Sequence, residues 1–182
     1  METDEVLLLI ALLIIIGSFV FFVIKLSIEK KRRKAITNIL SESFSSNIIH
    51  KSGVNFFEYY IDTDNIRYLI KVLPFDVNHE LIITNKYFWC DNADLRGWRR
   101  STVPDLFPRV KEFIDFDPQI QQKIIKIALI YPNCYSIIRY LNESDVAIVN
   151  PTDLVYGVYF VRSQNLKQFF TSLDQKNFTK YD

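Results

Sequence analysis

Arg96, Trp98, Arg99 and Arg100 fall within a five-residue stretch, Arg96-Gly97-Trp98-Arg99-Arg100. Guanidinium groups beside an indole can grip a phosphate or carboxylate through paired hydrogen bonds, or stack on a nucleic-acid base. The plainer reading is preferred: a solvated loop with Trp98 tucked on the core and the arginines paired to Asp91, Asp94 or Asp105. Exposed ion pairs of that sort are common and weak. Lys86, on an apolar run that reads as a strand, joins the weak candidates for phosphate binding. As a lysine on a half-exposed strand it is more simply a solvent-facing residue. Tyr156 and Tyr159 are read as core or groove-edge residues.

Nucleophilic and metal chemistry find little support. The chain has 2 cysteines, Cys90 and Cys134, and 2 histidines, His50 and His79. Neither H-x-x-x-H nor C-x-x-C spacing occurs, which argues against zinc. A thiol–imidazole pair of His79 with Cys90 or Cys134 is compatible with the sequence, but free cysteines usually serve as small packing residues. With 4 glycines in all, the chain lacks the P-loop, the dinucleotide fingerprint and the G-x-S-x-G elbow. No metal or cofactor is expected.

The most informative element lies at the N-terminus. The 19 residues from Val6 to Ile24 carry no charge. As a helix they span roughly 28 Å, close to the hydrocarbon thickness of a bilayer. Lys25, Lys30, Lys31, Arg32, Arg33 and Lys34 follow at once, while Glu2, Asp4 and Glu5 precede the run. A secretory signal would begin with positive charge and end at a small-residue cleavage site, so an uncleaved anchor is expected. Positive charge stays on the cytoplasmic side. Residues 1–5 then form a short outer tip, 6–24 the span, 25–34 a basic juxtamembrane segment and 35–182 a cytosolic domain. Cys90 and Cys134 form no disulfide framework, which suits a reducing compartment. Lys30, Lys31, Arg32, Arg33 and Lys34 can touch anionic headgroups, or act as a topology determinant alone.

Residues 35–182 hold 16 Lys/Arg against 17 Asp/Glu, a balance that disfavours a globally basic nucleic-acid binder. Periodicity predicts a helix from Arg33 to about Ile49, one that can continue the membrane helix. Strands are expected at Val54–Ile61, Ile66–Leu73 and Glu80–Trp89, linked by polar turns into an antiparallel meander. A loop over 91–102 and a helix from Pro104 to about Phe113 come next. Then follow a strand at Ile124–Tyr131, a helix at Tyr135–Leu141, strands at Val146–Val149 and Val158–Val161, and a closing helix at Gln164–Leu173. The order α-βββ-α-β-α-β-β-α describes an α/β domain with one mixed sheet.

An opening helix, a three-strand meander, then a helix and a further strand resemble the restriction-endonuclease-like fold over residues 35–170. The stretch from Lys123 onward is similar to small bacterial proteins with nuclease-related domains. That resemblance implies two carboxylates on a divalent metal, with the lysine of a Glu-x-Lys on the second strand positioning the attacking water. The matching strand here reads Thr84-Asn85-Lys86, with threonine where the second carboxylate belongs; Leu69-Ile70-Lys71 is a poorer register. Asp62 or Asp76 can fill the first acidic position. The implied outcome is a degenerate, inactive nuclease-like domain.

Three functional expectations follow. A membrane-anchored, non-catalytic α/β module that binds a protein partner comes first. A tethered nucleic-acid-binding or degenerate nuclease-like domain comes second, and an accessory protein for anionic lipid third. Oligomeric state is left open. The arrangement of Asp62, Asp76, Glu80, Lys71 and Lys86 separates chemistry from binding: one shared pocket favours the former, scatter the latter.

Overall fold

The computed structural model describes residues 3–44, 49–92, 109–142 and 145–178. The chain divides into two compact units, 1–38 and 39–182. Helix α1 (Thr3–Ser43) runs 41 residues without a break, so the apolar run and the following basic helix form one rod. It ends at Ser43 rather than near Ile49, which instead begins a strand.

From Ile10 to Ile28 the large apolar side chains stand open: Phe19 is 66% exposed and Phe21 70%. Burying one such side chain is worth about 1.5–3 kcal/mol, so a run of them left open to water is costly. The helix is long and apolar enough to cross a membrane, its best window reaching a mean hydropathy of 2.6. Ser18 donates its hydroxyl to the Ile14 carbonyl at 2.8 Å, which satisfies the one polar side chain of the stretch internally. Five consecutive basic residues, 30–34, spread around the rod at about 100° each and form a collar rather than a stripe. Lys30, Lys31, Arg33 and Lys34 are exposed and Arg32 is half-buried.

The second unit is an α/β fold with two sheets. Strands β1 (Ile49–Lys51), β2 (Tyr59–Asp62), β3 (Ile66–Phe75), β6 (Lys123–Pro132), β9 (Leu154–Val155) and β10 (Val158–Arg162) form the larger sheet, in the order β1-β2-β3-β6-β10-β9. Strands β4 (Glu80–Asn85), β5 (Phe88–Asn92), β7 (Ser136–Tyr140) and β8 (Val146–Ile148) form the smaller, in the order β5-β4-β7-β8. Helices α2 (Val110–Asp115) and α3 (Leu166–Phe178) complete the unit, a single 3₁₀ turn at Ser163–Asn165 leading into α3.

One arrangement links the sheets. β3 and β6 pair in parallel along ten residues, and their continuations β4 and β7 pair in parallel again. The two connections are tied together where the Tyr135 amide donates to the His79 carbonyl at 2.7 Å. The expected meander is therefore replaced by a β2–β3 hairpin, with β4 passing into a second sheet.

Four further expectations are corrected. The predicted strand Glu80–Trp89 is a hairpin, turned at Lys86 and Tyr87 where Asn85 Oδ1 accepts the Tyr87 amide at 2.9 Å. Tyr135–Leu141, expected as a helix, holds strand β7, because Ile137 and Ile138 fit between β4 and β8. The strand expected from Val54 is confined to Tyr59–Asp62, and Phe56 and Phe57 instead cluster with Phe116 at 5.0 and 5.6 Å between ring centroids. β3 runs on through Pro74 to Phe75, beyond the end expected at Leu73. β2 stops opposite Ile70, and the amide of Val72 on that side goes to Glu58 Oε2. Pro74 lies two residues further along the same open side, where it removes no ladder bond.

The main core joins both sheets and α2. Trp89 and Phe113 are fully enclosed, and Trp89 meets Phe160 edge-on at 4.8 Å. The other face of the larger sheet receives α3, whose Leu166, Phe169, Phe170 and Leu173 are buried as their spacing predicts. Tyr68 stands edge-on to Phe170 at 5.3 Å, and Phe44 joins that pair.

Candidate functional site

The five residues that would separate chemistry from binding do not share a pocket. Asp62 holds Arg67 through two hydrogen bonds of 2.5 and 2.8 Å at one end of β3. Asp76 lies past the other end, where its Oδ1 accepts the Asn78 amide. At about 3.3 Å per strand residue, the two acids stand roughly 25–30 Å apart. Lys71 is 4% exposed on the core side of β3 and donates to the Phe56 carbonyl at 3.1 Å. Burial pushes its ammonium below the ordinary lysine range, against the upward pull of Glu58 and Glu112.

Lys86 lies elsewhere again, on the β4–β5 turn. It donates to Asp115 Oδ1 at 3.1 Å and to the Tyr87 hydroxyl at 2.8 Å, and Tyr87 also donates to Asp115. These bonds raise the Lys86 pKa and lower that of Asp115. The lysine is thus committed to an ion pair on the surface. Nearby Lys126 donates to the Ile114 carbonyl, and burial lowers its pKa. No group of three or more metal-ligating side chains occurs among the described residues. Arg96, Trp98, Arg99 and Arg100 lie outside the described residues.

The thiol–imidazole pairing does not form. His79 Nδ1 faces both carboxylate oxygens of Asp91, at 2.9 and 3.0 Å. Neither cysteine is its hydrogen-bond partner among the described residues. Burial raises the pKa of both thiols, with Thr84 bonded to Cys90 and Arg162 bonded to Cys134 opposing it in part. Both cysteines are free and buried, and a thiol with a raised pKa is a poor nucleophile at neutral pH.

The feature that does assemble is a groove of about 540 Å³ on the outer face of the smaller sheet. Strand alternation builds it. Odd residues such as Leu81, Ile83, Trp89 and Ile137 enter the core, which leaves the even residues outside. The pairing register aligns them in rows. Cys90, Ile82, Ile138 and Ile148 form an apolar row across all four strands. Asn92, Glu80 and Ser136 form a polar row beside it, with Ser136 donating to Glu80. Phe88, Thr84, Tyr140 and Val146 complete the far end of the groove, and Asp91 lies at the polar end.

An apolar trough with polar groups gathered at one end suits a ligand side chain or a segment of a partner. It holds no activated nucleophile. Sequence patterning does not reveal it, because it depends on β4, β5 and β7 lying side by side, whereas the pattern predicts one strand over Glu80–Trp89 and a helix over Tyr135–Leu141. Alternation in Glu80-Leu81-Ile82-Ile83-Thr84 and Ser136-Ile137-Ile138-Arg139-Tyr140 was the available signal. Comparison with protein-family models, curated proteins and solved structures finds no match to this chain.

Proposed function

We propose that this chain is a single-pass membrane protein whose acidic tip lies outside and whose α/β unit works in the cytosol as a non-catalytic binding module. The length and apolarity of α1 support the span. The collar at residues 30–34, set against Glu2, Asp4 and Glu5, supports the orientation. One observation carries the non-catalytic reading: the candidate acids and lysines are dispersed over β2, β3, β4 and the turns that follow β3 and β4, whereas an apolar groove stands assembled. The dispersal equally weighs against a working nuclease-like centre, since two metal-binding carboxylates would have to meet within a few ångströms.

A protein partner is the occupant this reading favours, seated on the outer face of the smaller sheet. The test uses the full chain in membranes and after detergent extraction. We expect retention in carbonate-washed membranes and no hydrolysis of DNA or RNA with magnesium or manganese. Hydrolysis that vanishes in Asp76→Ala or Lys86→Ala would replace the binding module with an enzyme.

A further inference from the structure

We propose that the binding partner includes a second copy of this chain, joined edge to edge through β8. This deepens the binding-module reading and draws on its membrane tether. Among the described residues β8 is an edge strand of the smaller sheet. The Leu141 amide donates to the Asp145 carbonyl and the Val149 amide to the Ile137 carbonyl. Odd positions of this segment therefore face β7, and by alternation the N–H and C=O groups of Val146 and Ile148 face away from it. No described residue meets them.

The side chains match. Val146 is 52% exposed and Ile148 73%, and the edge Val146-Ala147-Ile148 carries neither lysine nor proline, the usual guards of an unpaired strand.

The register is self-complementary. Two antiparallel copies placed with Ala147 on the two-fold axis set Val146 opposite Ile148 of the partner subunit, twice. Both residues of each pair present outward-facing amides, so each pair can exchange two hydrogen bonds. The same pairs bring valine and isoleucine side by side on the groove face, a favourable cross-strand combination. The operation closes on itself, giving an eight-stranded sheet rather than a fibre.

A three-residue edge buries far less than the ~800 Å² per partner of a stable complex, so the contact is weak between free molecules. Confinement on one membrane raises the effective concentration toward the mM range, where a weak contact is populated.

The test is cysteine cross-linking of the full chain in native membranes. Facing residues of a non-hydrogen-bonded antiparallel pair have Cα atoms about 4.5 Å apart, within disulfide reach. Ala147→Cys should give a covalent dimer on mild oxidation, several-fold above Thr152→Cys, and adding Ile148→Lys should remove the excess. Absence of the dimer in folded, membrane-retained Ala147→Cys, or equal cross-linking at position 152, overturns the proposal. Should Ala147→Cys fail to fold, energy transfer between fluorescent fusions after Asp182 reads the same contact. Transfer in the unsubstituted chain that is lost in Ile148→Lys supports it, and none in either overturns it. Loss from carbonate-washed membranes instead defeats the membrane reading; concentrated soluble chain then answers the dimer question by the same cross-link.

Discussion

Lys71 is the residue whose position is hardest to reconcile with ordinary burial rules. Its ammonium is enclosed with the Phe56 carbonyl as hydrogen-bond partner, and burial depresses its pKa. The unfolded chain therefore binds this proton more tightly than the folded one. Between the depressed value and the ordinary 10.5, stability rises with pH, and the gain is lost as pH falls through the folded pKa. Lys71→Met keeps an unbranched side chain, one heavy atom shorter, and removes the charge. Thermal melts from pH 7 to pH 10 should show a shallower pH dependence in the variant. An unchanged slope would mean that Lys71 does not carry this linkage. Trp89 offers a second case. Its indole N–H is buried without an acceptor among the described residues, so the ring contributes through packing against Phe160. Trp89→Phe removes the orphaned donor and should cost far less than Trp89→Ala, for which about 3–5 kcal/mol is expected. Denaturant unfolding of the two variants measures the difference.

At the scale of elements, the turn between β9 and β10 depends on conformation more than on contact. Tyr156 has φ 53° and Gly157 φ 80°, the left-handed pair of a two-residue hairpin loop. Open space surrounds a Cβ added at Gly157, so the cost of Gly157→Ala is backbone strain alone, about 1–2 kcal/mol. Tyr156→Gly should relieve part of the same strain and leave stability near or above that of the parent. Thermal melts of the pair test this, and a large loss for Tyr156→Gly would assign the ring a packing role. These local features also mark how far the sequence could be read. α3 was legible because Leu166, Phe169, Phe170 and Leu173 repeat at helical spacing on a half-exposed element. β3 and β6 were legible as continuous apolar runs buried on both faces. β7 was not, because Ser136–Tyr140 is a short apolar run whose state is decided by pairing with β4, 56 residues earlier in the sequence. The β4–β5 hairpin was hidden because Lys86 and Tyr87 carry no glycine, and Asn85 supplies the turn through its side chain. The groove inherits both failures, since its rows exist only once those strands lie adjacent.

For the whole molecule, the proposed membrane reading makes charge asymmetry around α1 the property on which placement depends. Lys25 follows the apolar run directly, the collar at 30–34 lies close behind it and the acids precede the run, so the two flanks act in the same sense. The positive-inside bias operates on short flanks close to the span, with lysine and arginine dominant and acids minor. Replacing Lys30, Lys31, Arg32, Arg33 and Lys34 by glutamine should therefore weaken the preference without reversing it, because Lys25 remains and the N-terminal tip offers nothing in exchange. Adding lysine at Glu2, Asp4 and Glu5 to that variant reverses the asymmetry and should bring a fraction of chains into the opposite orientation. An enzyme reporter fused after Asp182, active only in an oxidising compartment, reads the outcome. It should be silent on the parent chain, nearly silent on the glutamine variant and active on the charge-swapped one. Activity on the parent would place the α/β unit outside. The basic collar would then need another role, with headgroup contact on the far leaflet the first to examine by flotation with and without anionic lipid.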